Sequence, residues 1–149
     1  MESKARSIAL EILGRRNMSV REMGKRLAQK GLCEQTVEET LEWLTQSGLM
    51  DDGEYAAQVV RHYSGKGYGP HRIKDELYKR GVERELWDEA LSQLESMEDV
   101  ALEFLIRKLR GSDDRDDFRR AVQAMYRRGF DRDEVDAAVR RYKEGDYDL

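Results

Sequence analysis

Residues 64–81 read SGKGYGPHRIKDELYKRG, with glycines at the alternate positions 65, 67 and 69, the chain's only proline at 70, a basic run, and a closing glycine at 81. The stretch is either a loop that cradles phosphate or the start of a helix. A phosphate loop of the GxxxxGK[ST] kind needs a lysine and a hydroxyl directly after its last glycine, and a strand before its first. Gly69 is followed by Pro70 and His71, and no strand-like segment precedes it. The GxGxxG pattern fails too, because Pro70 to Arg72 supply no third glycine.

The closing glycine decides the matter through its counterparts. LAQKGL at 27–32, LYKRGV at 77–82 and MYRRGF at 125–130 share one pattern, and Gly31, Gly81 and Gly129 lie 50 and 48 residues apart. Counted from each glycine, Leu27, Leu77 and Met125 recur at minus four, Met23, Ile73 and Ala121 at minus eight, and Leu41, Leu91 and Val139 at plus ten. Three copies at such a period mark a repeat architecture. Ser19, Gly69 and Asp117 each stand twelve residues before their glycine, and all three are types that cap a helix N-terminus. Pro70 then falls on the first helical position, where a missing N–H costs nothing, and Ser19 with Glu22 predicts a capping box. The terminal glycines suit the left-handed position after a helix, which costs other residues ~1 kcal/mol or more. The glycine-rich stretch is therefore the start of a helix of about eleven residues.

Each copy also carries a helix before this one and a helix after it. The earlier helices are expected near 3–16, 52–64 and 97–109 and the later ones near 34–46, 84–94 and 132–142, with apolar residues three or four apart, such as Tyr55, Val59 and Tyr63. The expected fold is all-α: three tandem three-helix repeats at 1–50, 51–95 and 96–149, winged-helix-like but wingless, in an elongated, curved array. Leu94 to Met97 holds no strong breaker, which leaves the last helix of the second repeat free to run on into the third.

Composition narrows the function. Of 149 residues 39% are charged, and the mean hydropathy is -0.85, which leaves little apolar surface for one large core. The longest apolar runs, VALEFLI at 100–106 and IALEIL at 8–13, are interrupted by Glu103 and Glu11, so neither a membrane span nor a secretory signal is expected. The lone Cys33 has no disulfide partner and no matched His context, and reads as a small, partly buried side chain. His62 and His71 lack a third ligand at metal spacing. Asp51 with Glu54, and DDRDD at 113–117, look like helix starts and do not have calcium-loop spacing. No nucleophile or oxyanion donor accompanies these carboxylates. The expectation is a cytoplasmic, cofactor-free protein that is not an enzyme.

Charge is sorted by helix within a net charge of -4. The second helix of every repeat is basic, while the third helix of the first repeat carries Glu34, Glu38, Glu39 and Glu42 with no Lys or Arg. The basic helices and the loop before the second of them supply the candidate contacts to a partner or to DNA: Lys66, Tyr68, Arg72, Lys74, Lys79, Arg80, Arg119, Arg120, Arg127 and Arg128. Tyr63 and Tyr78 are expected in the core and Tyr68 outside it. A solvated face paired with nearby acids is the competing reading. Residues 19–50 also read like a helix-turn-helix, the runner-up being a winged-helix regulator that reads specific duplex sites. There the recognition helix would bring four glutamates toward phosphates, an unfavourable approach.

The stretch LMDDGEYAAQVVRHYSGKGYGPHRIKDELYKRGV at 49–82 resembles the RecX family of bacterial recombinase regulators. The resemblance lies in Leu49, Met50, Asp51 and Asp52, the Tyr55-Ala56 pair, and Gly69, Arg72, Ile73, Glu76, Leu77, Gly81 and Val82. It implies a non-enzymatic protein of three-helix repeats that binds the RecA–single-stranded DNA filament and limits its growth or persistence; a monomer is expected. RecA's strand exchange, ATPase and coprotease activities would fall. With a pI near 5.4, single-stranded DNA is expected to be bound weakly or through RecA, and no membrane is a partner.

Overall fold

The computed structural model describes residues 2–92, 94 and 97–145. Among them are nine α-helices and no strand: α1 Glu2–Arg15, α2 Val20–Gln29, α3 Glu34–Gln46, α4 Asp52–Gly65, α5 Pro70–Lys79, α6 Trp87–Ser92, α7 Met97–Leu109, α8 Arg115–Arg127 and α9 Arg132–Glu144, with a 3-10 turn at Arg84–Leu86 before α6. The helices thus follow one another in threes. By contact density the chain divides into two compact units, Met1–Gln58 with Leu77–Ala90, and Val59–Glu76 with Leu91–Leu149, so the division passes through α4 and α5. The partition at 50/51 and 95/96 remains a proposal about the repeating unit, and its second boundary lies outside the described residues.

The glycine register governs burial. Met23, Leu27, Ile73, Leu77, Ala121 and Met125 are all buried, as the minus-eight and minus-four positions require. The plus-ten residues Leu41 and Val139 are only partly buried and pack at the edge of their cores. The third-helix core instead uses Val37 and Thr40, Trp87 and Ala90, and Val135 and Ala138, six and nine residues past each glycine. Gly31, Gly81 and Gly129 have φ of 89°, 78° and 95°, so each chain reversal is left-handed as expected. After α8 the Gly129 N–H reaches Tyr126 O at 3.1 Å and the Phe130 N–H reaches Met125 O at 3.2 Å, the pair of bonds that closes a helix on a C′ glycine.

In the first unit the Gly81 turn rests on the start of α2. The Ser19 hydroxyl, fully buried, accepts from Glu22 N at 3.1 Å and donates to Arg80 O. A Cβ on Gly81 would lie 3.1 Å from Arg21 Cδ. Val20 N donates to the Asp52 carboxylate at 2.9 Å. Burial, reinforced by the nearby Glu83 and Asp51, pushes the Asp52 pKa up, with the Val20 bond acting against it.

The second unit repeats the arrangement with backbone alone. Gly69 N donates to Arg128 O at 2.7 Å and His71 N donates to Gly129 O at 3.0 Å. A Cβ on Gly69 would stand 2.5 Å from Gly129 C and Phe130 N, and one on Gly129 would stand 2.5 Å from Arg72 N. The glycine at 69 therefore answers to proximity. Gly67, φ 84°, closes α4 through Tyr68 N to Tyr63 O at 3.0 Å. The opening stretch thus holds the end of one helix as well as the start of the next.

Several expectations need correction. The N-cap of α8 is Asp114, whose side chain accepts from Asp116 N, and Asp117 lies inside the helix, bonded to Ser112 Oγ at 2.6 Å and Arg120 at 2.7 Å. The DDRDD run adds a turn that the aligned cap did not predict. Ser19 caps α2, but the Glu22 carboxylate goes to Arg16 instead of closing a box. The reciprocal box occurs at Asp131 and Glu134 before α9. Leu94 lies outside both α6 and α7, and residues 93, 95 and 96 of that junction lie outside the described set. Cys33 is exposed, because the N-cap position of α3 points it toward solvent and Thr36 Oγ1 at 3.2 Å.

Candidate functional site

Four of the expected contact residues meet in the second unit. Tyr68 sits in the short link between α4 and α5, fixed by the Gly67 turn behind it and by Gly69 against Arg128 O ahead of it. Its half-buried ring is flanked by two guanidinium groups, Arg128 Cζ at 4.5 Å from the ring centre and Arg72 Cζ at 5.2 Å. Such contacts stabilise by ~0.5–2 kcal/mol according to exposure. Arg72 also pairs with Glu76 at 3.6 Å, while its Nε is buried without a hydrogen-bond partner among the described residues. Tyr63 meets Tyr68 edge-on at 5.8 Å.

Arg128 is the last residue before Gly129 and does three things at once. Its carbonyl accepts from Gly69 N, its Nη1 donates to Lys66 O at 3.0 Å, and its guanidinium lies 5.3 Å from the Phe104 ring centre. Phe104 in turn tilts against buried Phe130 at 6.2 Å. A cleft of about 240 Å³ opens here between the end of α4 and the outer face of α7. Its cations are Lys66, Arg107, Lys108 and Arg128, with Phe104 as the apolar floor and Glu103 as the one acid lining it. Arg107 pairs with Glu103 one turn back on α7. Lys66 and Lys108 are exposed, with no ion pair among the described residues. Cations grouped on a rigid floor offer a track for a phosphate backbone or an acidic surface.

The other expected residues are placed differently. Arg80 belongs to the first unit and donates to Tyr55 OH at 2.8 Å, a bond that ties the turn after α5 to the first turn of α4. Lys79 is exposed and Lys74 half-buried. Arg119 and Arg120 are exposed but answer the aspartates of the added α8 turn, at 3.6 Å to Asp116 and 2.7 Å to Asp117. Arg127 is exposed. The two tyrosines exchange roles. Tyr78 is 72% exposed, because it stands 100° round the helix from buried Leu77. Tyr68 is drawn in by its two arginines.

Arg107 and Lys108 are functional candidates that counting charge on second helices passed over, since they end a first helix. The basic run IRKLR at 106–110 was the available signal. Among the described residues no group of three or more His, Cys, Asp or Glu is placed to hold a metal, and no helix is long and apolar enough to cross a membrane.

Two family models match: RecX, first three-helix domain, over residues 5–44, and RecX, second three-helix domain, over residues 51–91. The protein described as regulatory protein RecX of Halorhodospira halophila is 37% identical over 145 residues, which cover 95% of this chain and 89% of that one. Its counterpart in Pseudomonas putida KT2440 is 33% identical over 133 residues, 87% of this chain and 85% of that one. The crystal structure of RecX from Lactobacillus salivarius shares the fold, with a TM-score of 0.86 over 96% of this chain and 97% of that one at 21% identity.

Proposed function

The chain belongs to the RecX family, and on that premise we propose that it is a cytoplasmic regulatory protein that binds the RecA–single-stranded DNA filament and restrains RecA, acting by binding and not by catalysis. The observation that carries the reading to particular residues is the cleft in which Arg128, held by Tyr68 and Phe104, frames Lys66 and Lys108, which have no ion pair among the described residues. Cations with no partner of their own lose little on meeting an external anion, whereas paired ones must first give up a bond. Lys66 and Lys108 are therefore the contacts, and Arg72 and Arg128 hold the platform. The alternative, a reader of specific duplex sites through α3, has the exposed Glu34, Glu38, Glu39 and Glu42 against it.

The test is charge reversal at the two exposed lysines. Lys66→Glu with Lys108→Glu should keep parental helicity and Tm, yet require at least about tenfold more protein to halve RecA's single-strand-dependent ATPase. The deficit should widen at low salt, where charges are least screened. Full inhibition by the folded double variant at every salt concentration would remove this cleft from the filament interface.

A further inference from the structure

The groove between α8 and α9 lies on neither the Tyr68 platform nor the cleft beside it. It holds about 660 Å³, within the range of pockets that take small ligands and side chains. Its floor is apolar: Phe118 and Val122 from α8, Val139 and Tyr142 from α9, all partly buried on the core beneath. Its rim carries Arg115, Arg119 and Lys143, with Asp113 as the acid among the described lining residues; Arg119 is loosely paired with exposed Asp116 at 3.6 Å, while Arg115 and Lys143 have no ion pair among the described residues. Lys143 Nζ lies 5.6 Å from the Phe118 ring centre, so its charge is held over the floor.

The glycine register shows why the groove is open here. The positions of Val122 and Val139 correspond to Gly24 and Leu41 in the first repeat. A Cβ on Gly24 would stand 3.1 Å from Leu41 Cδ1, so there the third-helix leucine closes over a bare backbone. In the third repeat a branched side chain replaces the glycine, and a shorter one replaces the leucine. The two helices cannot close over each other in the same way.

We propose that this groove docks an acidic peptide segment of a partner protein, anchored by one large apolar side chain. The floor calls for an apolar anchor, and the rim for carboxylates spaced around it. A nucleic-acid strand fits less well. Phe118 and Tyr142 meet edge-on at 5.4 Å and 75°, so the two rings do not form one flat platform for stacked bases, and Asp113 opposes a continuous line of phosphates.

The experiment uses the full chain and a fluorescein-labelled heptapeptide of Asp and Glu around a central Trp, followed by anisotropy. Replacing the acids by Asn and Gln, or the Trp by Ala, should each weaken binding about tenfold or more. Val122→Trp, which fills the groove, should do the same with helicity and Tm retained. Arg119→Glu, at an exposed position whose ion pair with Asp116 is a surface contact of small worth, should weaken it about fivefold with helicity and Tm checked alongside, and decides the matter if the Trp variant misfolds. Absence of parental binding up to about 1 mM, equal binding of the neutral peptide, or no effect of Arg119→Glu would overturn the proposal. So would displacement of the peptide by a dT oligonucleotide, which would make nucleic acid the occupant.

Discussion

Alanine at Gly129, Gly69 and Gly31 separates two causes of glycine use that the structure assigns to different positions. Gly31 has φ 89° and nothing within 4 Å of its absent Cβ, so alanine there costs only the left-handed conformation, about 1–2 kcal/mol. Gly69 has no positive φ but faces the Gly129 backbone at 2.5 Å. Relief of that overlap means parting the start of α5 from the turn after α8, which loses the bonds from Gly69 N and His71 N. Each is worth ~0.5–1.5 kcal/mol net, and more if the groups stay buried without a partner. Gly129 combines both causes, with φ 95° and Arg72 N at 2.5 Å. The expected order of destabilisation is therefore Gly129→Ala, about 2–5 kcal/mol, then Gly69→Ala, about 1–3 kcal/mol, with Gly31→Ala near the conformational cost alone.

Urea denaturation followed by circular dichroism measures the three differences on one scale. Losses of this size are a large part of a typical 5–15 kcal/mol, so the Gly129 variant should also lose its plateau at low urea. Equal destabilisation by Gly129→Ala and Gly31→Ala would refute the close-approach argument. A Gly69→Ala protein as stable as the parent would show that the two backbones are not in contact.

Three further outcomes follow from individual contacts. Asp52 has a pKa raised by burial, and a carboxyl raised in the folded state costs stability above that pKa, a cost that vanishes as pH falls through it. Asp52→Asn should thus be at least as stable as the parent at pH 7, and any gain should close below the ordinary carboxylate pKa of about 4, as read from Tm against pH. Asp114→Ala should lose ~1 kcal/mol with the cap of α8, measured by chemical denaturation; no loss would return the helix start to Asp117. Arg80→Ala should lower Tm through the Tyr55 hydroxyl bond, whereas Lys79→Ala, one residue earlier and exposed, should leave it unchanged.

What the sequence made legible was whatever the period enforces. Left-handed glycines, buried minus-four and minus-eight residues, and helix starts at Val20 and Pro70 each follow from one local requirement repeated in register. The failures arise where a local alternative competes. Asp114 and Asp117 are equally good caps by type, and Ser112, which donates to Asp117, settles the choice. Glu22 had two partners available and took the arginine. Tyr68 and Tyr78 could not be sorted by spacing, because the ring of Tyr68 is half-covered by the guanidinium groups of Arg72 and Arg128 beside Tyr63, contacts that apolar periodicity does not register. Arg107 and Lys108 were missed because a cleft gathers charge from helices distant in sequence.

The basic residue before each glycine shows how architecture and function divide the same charge. At this position the carbonyl of Arg80 accepts from Ser19 Oγ, and that of Arg128 accepts from Gly69 N, and Ser19 and Gly69 are themselves equivalent positions in successive repeats. The two guanidinium groups then reach a tyrosine, as donor to Tyr55 OH in one unit and over the Tyr68 ring in the other. A lysine could supply the charge but not the planar group that stacks and donates together. The recurring Arg-Gly pair is thus a fastening between repeats, and its charge is already committed within the fold. On the proposed reading, recognition of a polyanion would fall to cations outside that register, Lys66 and Lys108, which the repeat does not require and the fold leaves without an ion pair among the described residues.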